Sequence, residues 1–373
     1  MSAAIRGAVY CLLAVLLVGA LAGCGRKDAS QPTESSPLVS LSALVSPDGQ
    51  QIAVGKTVWQ ETQQPVCSQW VVSLVTGQAR CLSPKPMTPA GFGGALTWLA
   101  DSSGLICEGV VGHYYGLVKL PLSGARPSPL PLSHTSPLEP VPSPDGRWLA
   151  YKCYEKGHTT PALRVASMEG KTDVLVAQPK VPVSSSGAVQ WSADSKRLFF
   201  LASQEVGRGS YVGIASVAPI KLLPPLYLGE QLSSFSFSPD GTCLVAVYTQ
   251  LSKVRLAVMD FTNQTPQQNL EQHPSKTSDP QGAPDGSAFG YVRSRGKSRD
   301  LVVYNLESGK RKTIAQKVGQ LVGGTAWTPK DLIVFARNGK ELWTVRSDGK
   351  DERLVLDRKS TRLNYSHRIR DRM

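Results

Sequence analysis

The chain has 373 residues, 41% hydrophobic and 18% charged, with 34 Gly, 27 Pro and a formal net charge of +13. That composition excludes a disordered chain and suits a turn-rich β protein able to bury a core. The charge does not make a nucleic-acid groove: residues 358–373 supply +5, Arg6 one more, and the remaining +7 or so lies scattered on turn-like stretches without any nucleic-acid motif.

The chain opens with "MSAAIRGAVYCLLAVLLVGALAGCGRKD": one cation, Arg6, then fourteen apolar residues from Ala8 to Leu21, then small residues. A run of that length is short for a membrane span and fits the core of a secretory signal peptide. It ends in Leu21, Ala22, Gly23 and Cys24, which closely resembles the bacterial lipobox. The resemblance implies that residues 1–23 are a lipoprotein signal peptide, that Leu21, Ala22 and Gly23 are read by the signal peptidase, and that Cys24 is lipidated. It also implies an exported chain held in a membrane of the cell envelope, either the outer membrane facing the periplasm or the outer face of the cytoplasmic membrane. Two or three acyl chains on Cys24 give stable attachment where one is reversible. Residues 24–37 continue as a polar tether whose thirteen residues after Cys24 span at most about 40 Å.

From residue 38 a repeat begins. Ser46, Pro47, Asp48 and Gly49 recur as Ser143, Pro144, Asp145 and Gly146, again as Ser238, Pro239, Asp240 and Gly241, and in part as Pro284, Asp285 and Gly286. The four residues satisfy the positions of a type I turn in order: Ser first, Pro with its preset φ second, Gly fourth. Alternating apolar residues follow each copy, as at Ile52 and Val54, Leu198 and Phe200, or Phe289 and Tyr291, which is the period of a strand. Taking Asp48, Asp101, Asp145, Asp194, Asp240, Asp285 and Lys330 as equivalent, the intervals are 53, 44, 49, 46, 45 and 45 residues.

Each unit reads as strand, turn, strand, third strand, second turn and short fourth strand. Four antiparallel strands per unit make one blade of a β-propeller, and a blade buries both faces only by stacking on its neighbours. The expectation is an all-β propeller over residues 38–357 with seven blades, six or eight remaining open. The repeats resemble those of the TolB-like family, which occur in the periplasmic TolB protein and in the propeller domains of prolyl oligopeptidases and dipeptidyl peptidases. That resemblance covers about residues 38–357 and implies the fold.

No catalytic set is legible. The G-x-S-x-G elbow needed by a serine hydrolase is missing from the sequence, and His113, His134, His158, His273 and His367 are dispersed without metal-ligand spacing. The turn aspartates stand singly, whereas a calcium loop spaces oxygen ligands at alternate positions and closes with Glu. The sequence therefore calls for no metal and no cofactor, and the turn residues are structural. After Cys11 and Cys24, five cysteines remain: Cys67, Cys81, Cys107, Cys153 and Cys243. They read as small buried hydrophobes, with a bridge in the first two repeats as the alternative.

The functional expectation is a membrane-anchored, non-catalytic binding scaffold for a protein, peptide or glycan partner. The alternatives are a lactonase- or lyase-like propeller enzyme with its site in the central funnel, or an orphaned sensor domain. Residues 358–373, "RKSTRLNYSHRIRDRM", resemble translated sequencing-adapter DNA and read as a non-native basic tail, with a disordered native tail as the alternative.

Overall fold

The alternation after each turn becomes seven antiparallel sheets of four strands, each built from a contiguous piece of chain. A computed structural model describes residues 39–60, 63–82, 96–111, 113–133, 137–158, 160–177, 183, 189–203, 209–227, 231–238, 241–251, 253–260, 265–271, 277–296, 298–319, 326–337 and 341–356. Blade 1 spans residues 39–81, blade 2 96–129, blade 3 138–177, blade 4 189–226, blade 5 231–271, blade 6 277–316 and blade 7 326–356. Arg6, the signal peptide, the lipobox with Cys24, the tether and the basic tail lie outside the described residues.

The first strands form the inner ring. Those of blades 1 and 2, 2 and 3, 3 and 4, 5 and 6, and 6 and 7 touch one another, and the first strand of blade 7 meets that of blade 1. Between blades 4 and 5 the contact runs from the third strand of blade 4, Ser210–Val217, to the first of blade 5, Gln231–Phe237. A seven-bladed ring results.

Period-two alternation sends successive side chains to opposite neighbours. In the second strand of blade 3, Trp148–Cys153, Leu149 packs with Ile106 and Leu117 of blade 2, whereas Ala150 packs with Trp191 and Phe200 of blade 4. Every blade interface is filled in this way. Phe199 of blade 4 stacks on Phe237 of blade 5 with ring centroids 3.9 Å apart, and Tyr291 and Phe289 of blade 6 face Val245 and Val247 of blade 5. Burying each such side chain contributes roughly 1.5–3 kcal/mol, so the core is a ring of seven seams.

Ring closure needs its own interactions, because no strand is exchanged between blades 7 and 1. Val334, Ala336, Leu342 and Leu356 of blade 7 pack on Ile52, Val54, Trp70 and Val72 of blade 1. Arg353 donates from Nη2 to the Leu74 carbonyl at 2.7 Å. At the turn of blade 1, Gly49 lies so close to blade 7 that a Cβ there would sit 2.8 Å from Cδ of Pro329.

Candidate functional site

The turn motif is satisfied from within. Ser46 Oγ accepts from the Gln51 amide at 3.0 Å and donates to Asp48 Oδ1 at 2.5 Å, while Asp48 Oδ1 accepts from the Gln50 amide at 3.0 Å. Blade 3 repeats the set: Trp148 N to Ser143 Oγ at 2.9 Å, Ser143 Oγ to Asp145 Oδ1 at 2.6 Å, and Arg147 N to Asp145 Oδ1 at 3.0 Å. Burial works against the Asp145 carboxylate, but the bonds from Ser143 and Arg147 outweigh it and hold its pKa below the ordinary carboxylate value. In blade 5, Ser238 Oγ accepts from the Cys243 amide at 2.9 Å. Pro239 and Asp240 fall outside the described residues. In blade 6 Asp285 Oδ1 takes the amide and hydroxyl of Ser287, which lower its pKa in that order.

The fourth turn position carries a second task. Its residue has positive φ throughout: Gly49 at 66°, Gly146 at 70°, Gly241 at 72° and Gly286 at 76°. Where serine replaces glycine, at Ser102 and Ser195 with φ 59° each, the hydroxyl reaches the turn of the preceding blade. Ser102 Oγ accepts from the Asp48 amide and Ser195 Oγ from the Asp145 amide, both at 3.1 Å. Trp98 and Trp191 add donors from Nε1 to the carbonyls of Leu44 at 2.9 Å and Val141 at 2.8 Å, again one blade back. Sequence reasoning identified the turns and missed these bonds.

A polar cluster lies where blade 3 meets the chain leaving blade 2. Asp173, whose side chain is 9% exposed, receives Tyr151 Oη at 2.6 Å, Arg164 Nε at 2.9 Å, the Ser133 amide at 3.0 Å and the Ser133 hydroxyl. Arg164 also reaches Glu155 Oε1 from Nη1 at 2.9 Å. Burial opposes the Asp173 charge, yet the bonds from Ser133, Tyr151 and Arg164 bring its pKa down to about 2. Burial first, and then the bond to Asp173, pushes Tyr151 upward, and burial with the nearby Glu155 charge pushes the Cys153 thiol up to about 11. On the opposite face of the same strand Lys152, 1% exposed, places Nζ 2.6 Å from Glu139 Oε2.

A groove of about 730 Å³ opens between blades 6 and 7, on the end of the ring that carries the first-to-second-strand turns. Pro284, Asp285 and Ser287 of the blade 6 turn form one inner wall, and Trp327, Pro329 and Asp331 of blade 7 the other. Farther out the second turn and fourth strand of blade 6 contribute Lys310, Arg311 and Lys312, opposite Ser347 and Asp348. The three cations are exposed. Two of the residues assigned to turn formation, Pro284 and Asp285, thus also line a surface.

Of the histidines, His113 is exposed at the tip between Gly104–Val111 and Tyr114–Pro121, and His158 is exposed in the loop after Trp148–Cys153. His134, His273 and His367 lie outside the described residues. Among the described residues no three His, Cys, Asp or Glu side chains gather as a metal site would require. Cys107 and Cys153 are buried, whereas Cys81 and Cys243 are half-buried, and all four are thiols. The reading as buried small hydrophobes holds for the first two. The side chain of Cys67 lies outside the description.

Comparison with known proteins places the fold. The chain is similar to a puromycin-hydrolyzing peptidase of Mycobacterium tuberculosis, with TM-score 0.65 and 14% identity over 86% of this chain and 53% of the peptidase. It is also similar to an oligogalacturonate lyase solved with manganese, with TM-score 0.58 and 14% identity over 81% of this chain and 87% of the lyase. TolB of Acinetobacter baumannii is a further similar structure, with TM-score 0.48 and 15% identity over 85% and 79% of the two chains. The chain spans about half the length of the peptidase. No family model and no curated protein matches the sequence. At these identities the likeness to the peptidase and the lyase is one of fold alone, and one fold serves different activities.

Proposed function

We propose that the chain is an exported, lipid-anchored protein of the bacterial cell envelope whose propeller binds a protein, peptide or glycan partner without turning it over. The observation that carries this reading is the use made of the buried ionisable groups. Asp173 titrates near 2, Cys153 near 11, and Tyr151 above its ordinary range. A general acid or base works best with a pKa near the operating pH. These groups are driven away from it: Asp173 is held within blade 3 by Tyr151 and Arg164, and its bond from the Ser133 amide ties blade 3 to the chain leaving blade 2. Such a ring is rigid and presents surfaces. The apolar run with Leu21, Ala22, Gly23 and Cys24, followed by a polar tether, supports the placement at a membrane.

The test is a pull-down from detergent-solubilised envelopes, with the native chain beside Cys24→Ala. Envelope proteins recovered reproducibly with the native chain and diminished with Cys24→Ala are the expected result. Turnover of an ester, lactone, glycoside or peptide panel by the purified protein would overturn the non-catalytic part. Recovery of Cys24→Ala in the membrane fraction, with the same electrophoretic mobility as the native chain, would overturn the anchor.

A further inference from the structure

The positive charge of the propeller is concentrated. Blades 6 and 7, residues 277–356, carry 14 Lys and Arg against 9 Asp and Glu, whereas residues 39–276 carry 18 against 15. In sequence the run "SGKRKT" at 308–313 looks like a solvated turn. Folding sets it on the outer wall of the groove between the two blades.

Both signs of charge line that groove, but their bonding differs. Asp285 Oδ1 is taken by the amide and hydroxyl of Ser287. Asp331 holds Trp327 Nε1 at 3.3 Å and Arg346 Nη2 at 3.5 Å, and Asp348 holds the Lys350 amide at 2.9 Å and Lys350 Nζ at 3.3 Å. The carboxylates are therefore engaged in or beside their own turns. Lys312 Nζ donates to the Asp348 carbonyl at 2.6 Å, which uses one of the three donors of an ammonium group. Lys310 is exposed on the same wall. Asp331 and Asp348 are offset by Arg346 and Lys350, and the outer wall with Lys310 and Lys312 consequently offers positively charged hydrogen-bond donors to whatever enters the groove.

The inner walls argue for the kind of entrant. Pro284 and Pro329, both exposed, supply apolar surface, and the Trp327 ring packs on blade 6, with Cζ3 3.6 Å from where a Cβ on Gly290 would lie. That indole is half-buried, with one edge on blade 6 and Nε1 on Asp331, so only part of the ring faces the groove. The volume of about 730 Å³ falls within the roughly 300–1,000 Å³ of sites that enclose small ligands or short segments.

We infer that this groove receives an acidic peptide segment of a protein partner, with carboxylates paired to Lys310 and Lys312 and backbone laid over Pro284 and Pro329. The inference rests on the binding-protein reading above and names its site and the chemistry of its partner.

The experiment titrates the full chain with a fluorescein-labelled pentapeptide of four glutamates around one alanine, read by anisotropy at low and moderate salt. A pentapeptide with lysines in place of the glutamates and an oligogalacturonate are the comparisons. The expected result is binding of the acidic peptide that weakens with salt. It should fall at least tenfold in Lys310→Glu with Lys312→Glu and stay unchanged in Lys196→Glu, on the blade 4 turn. All three side chains are exposed, circular dichroism checks the fold, and Lys310→Ala serves as a milder second variant. Equal binding by the lysine peptide, indifference to the charge reversals, or preferential groove-dependent binding of the oligogalacturonate would each overturn the proposal. The same variant in the envelope pull-down separates the two readings. Undiminished capture of a partner by Lys310→Glu with Lys312→Glu sinks the groove and leaves the binding protein. Groove-dependent peptide binding without any envelope partner does the reverse.

Discussion

Ser102 Oγ accepts a hydrogen bond from the backbone amide of Asp48 at 3.1 Å, joining the turn of one blade to the turn of the next across 54 residues of chain. The serine sits where other blades carry glycine, at φ 59°, so the left-handed backbone aims its hydroxyl back at the preceding blade. Ser195 makes the same bond to Asp145.

Loss of either hydroxyl should be felt as loss of a largely buried bond. Ser102→Ala and Ser195→Ala are each expected to lower stability to urea by about 1 kcal/mol. The bonds lie at different seams, so the double variant should lose about twice as much. A double variant no weaker than either single one would mean the bonds do not hold the ring.

Gly49 tests the closure. Alanine there meets a left-handed backbone, which costs about 1–2 kcal/mol, and also a Cβ contact of 2.8 Å with Pro329 Cδ across the last seam. Gly77, φ 70°, has nothing within 4 Å of an added Cβ. Gly49→Ala should therefore destabilise more than Gly77→Ala, by about 1–3 kcal/mol for overpacking. Pro329→Ala in the Gly49→Ala background should recover part of that difference. Equal melting temperatures of the two glycine variants would remove Gly49 from the closure.

The same two positions explain what could be read in advance. Ser-Pro-Asp-Gly followed by alternating apolar residues is a local pattern, written in consecutive residues by turn sterics and the pleat, so the blades, their strand order and the shared face of Ile52 and Val54 were legible. The partner of Ser102 is not local: serine and glycine both suit the turn, and only the stacking of blades decides which surface the fourth position meets. The groove has the same origin. Lys310 and Lys312 carry no pattern of their own, and their setting against Pro329 and Asp348 exists only once blade 7 is packed on blade 6.

Lys152 presents a different case, an ammonium group at 1% exposure beside a Glu139 side chain that is 48% exposed. Removing the carboxylate takes one partner from a buried charge. Because Glu139 is half exposed, Glu139→Ala is expected to cost about 1–2 kcal/mol, less than the loss of a fully buried partner, and adding Lys152→Met should restore part of it by removing the charge as well. The check is the urea midpoint of the two variants against wild type. An unaffected Glu139→Ala would show that the other neighbours of Lys152 suffice.

Asp173 should govern acid stability. Its folded pKa of about 2 lies below the unfolded value of 3.8, so its contribution is fully present above pH 4 and is lost as pH falls towards 2. A depression of that size corresponds to about 2 kcal/mol at neutral pH. Asp173→Asn keeps the shape but takes the charge from Arg164 and the acceptor from Tyr151 or Ser133. The variant should be less stable than wild type by about that amount at pH 7, and the gap should narrow to a small remainder as both are titrated from pH 4 to 2, where the wild-type carboxyl is about half protonated in the folded state. Denaturant midpoints across that window decide the matter. A gap that stays constant down to pH 2 would mean that the shape and hydrogen bonds of Asp173, and not its charge, hold blade 3 against the chain leaving blade 2.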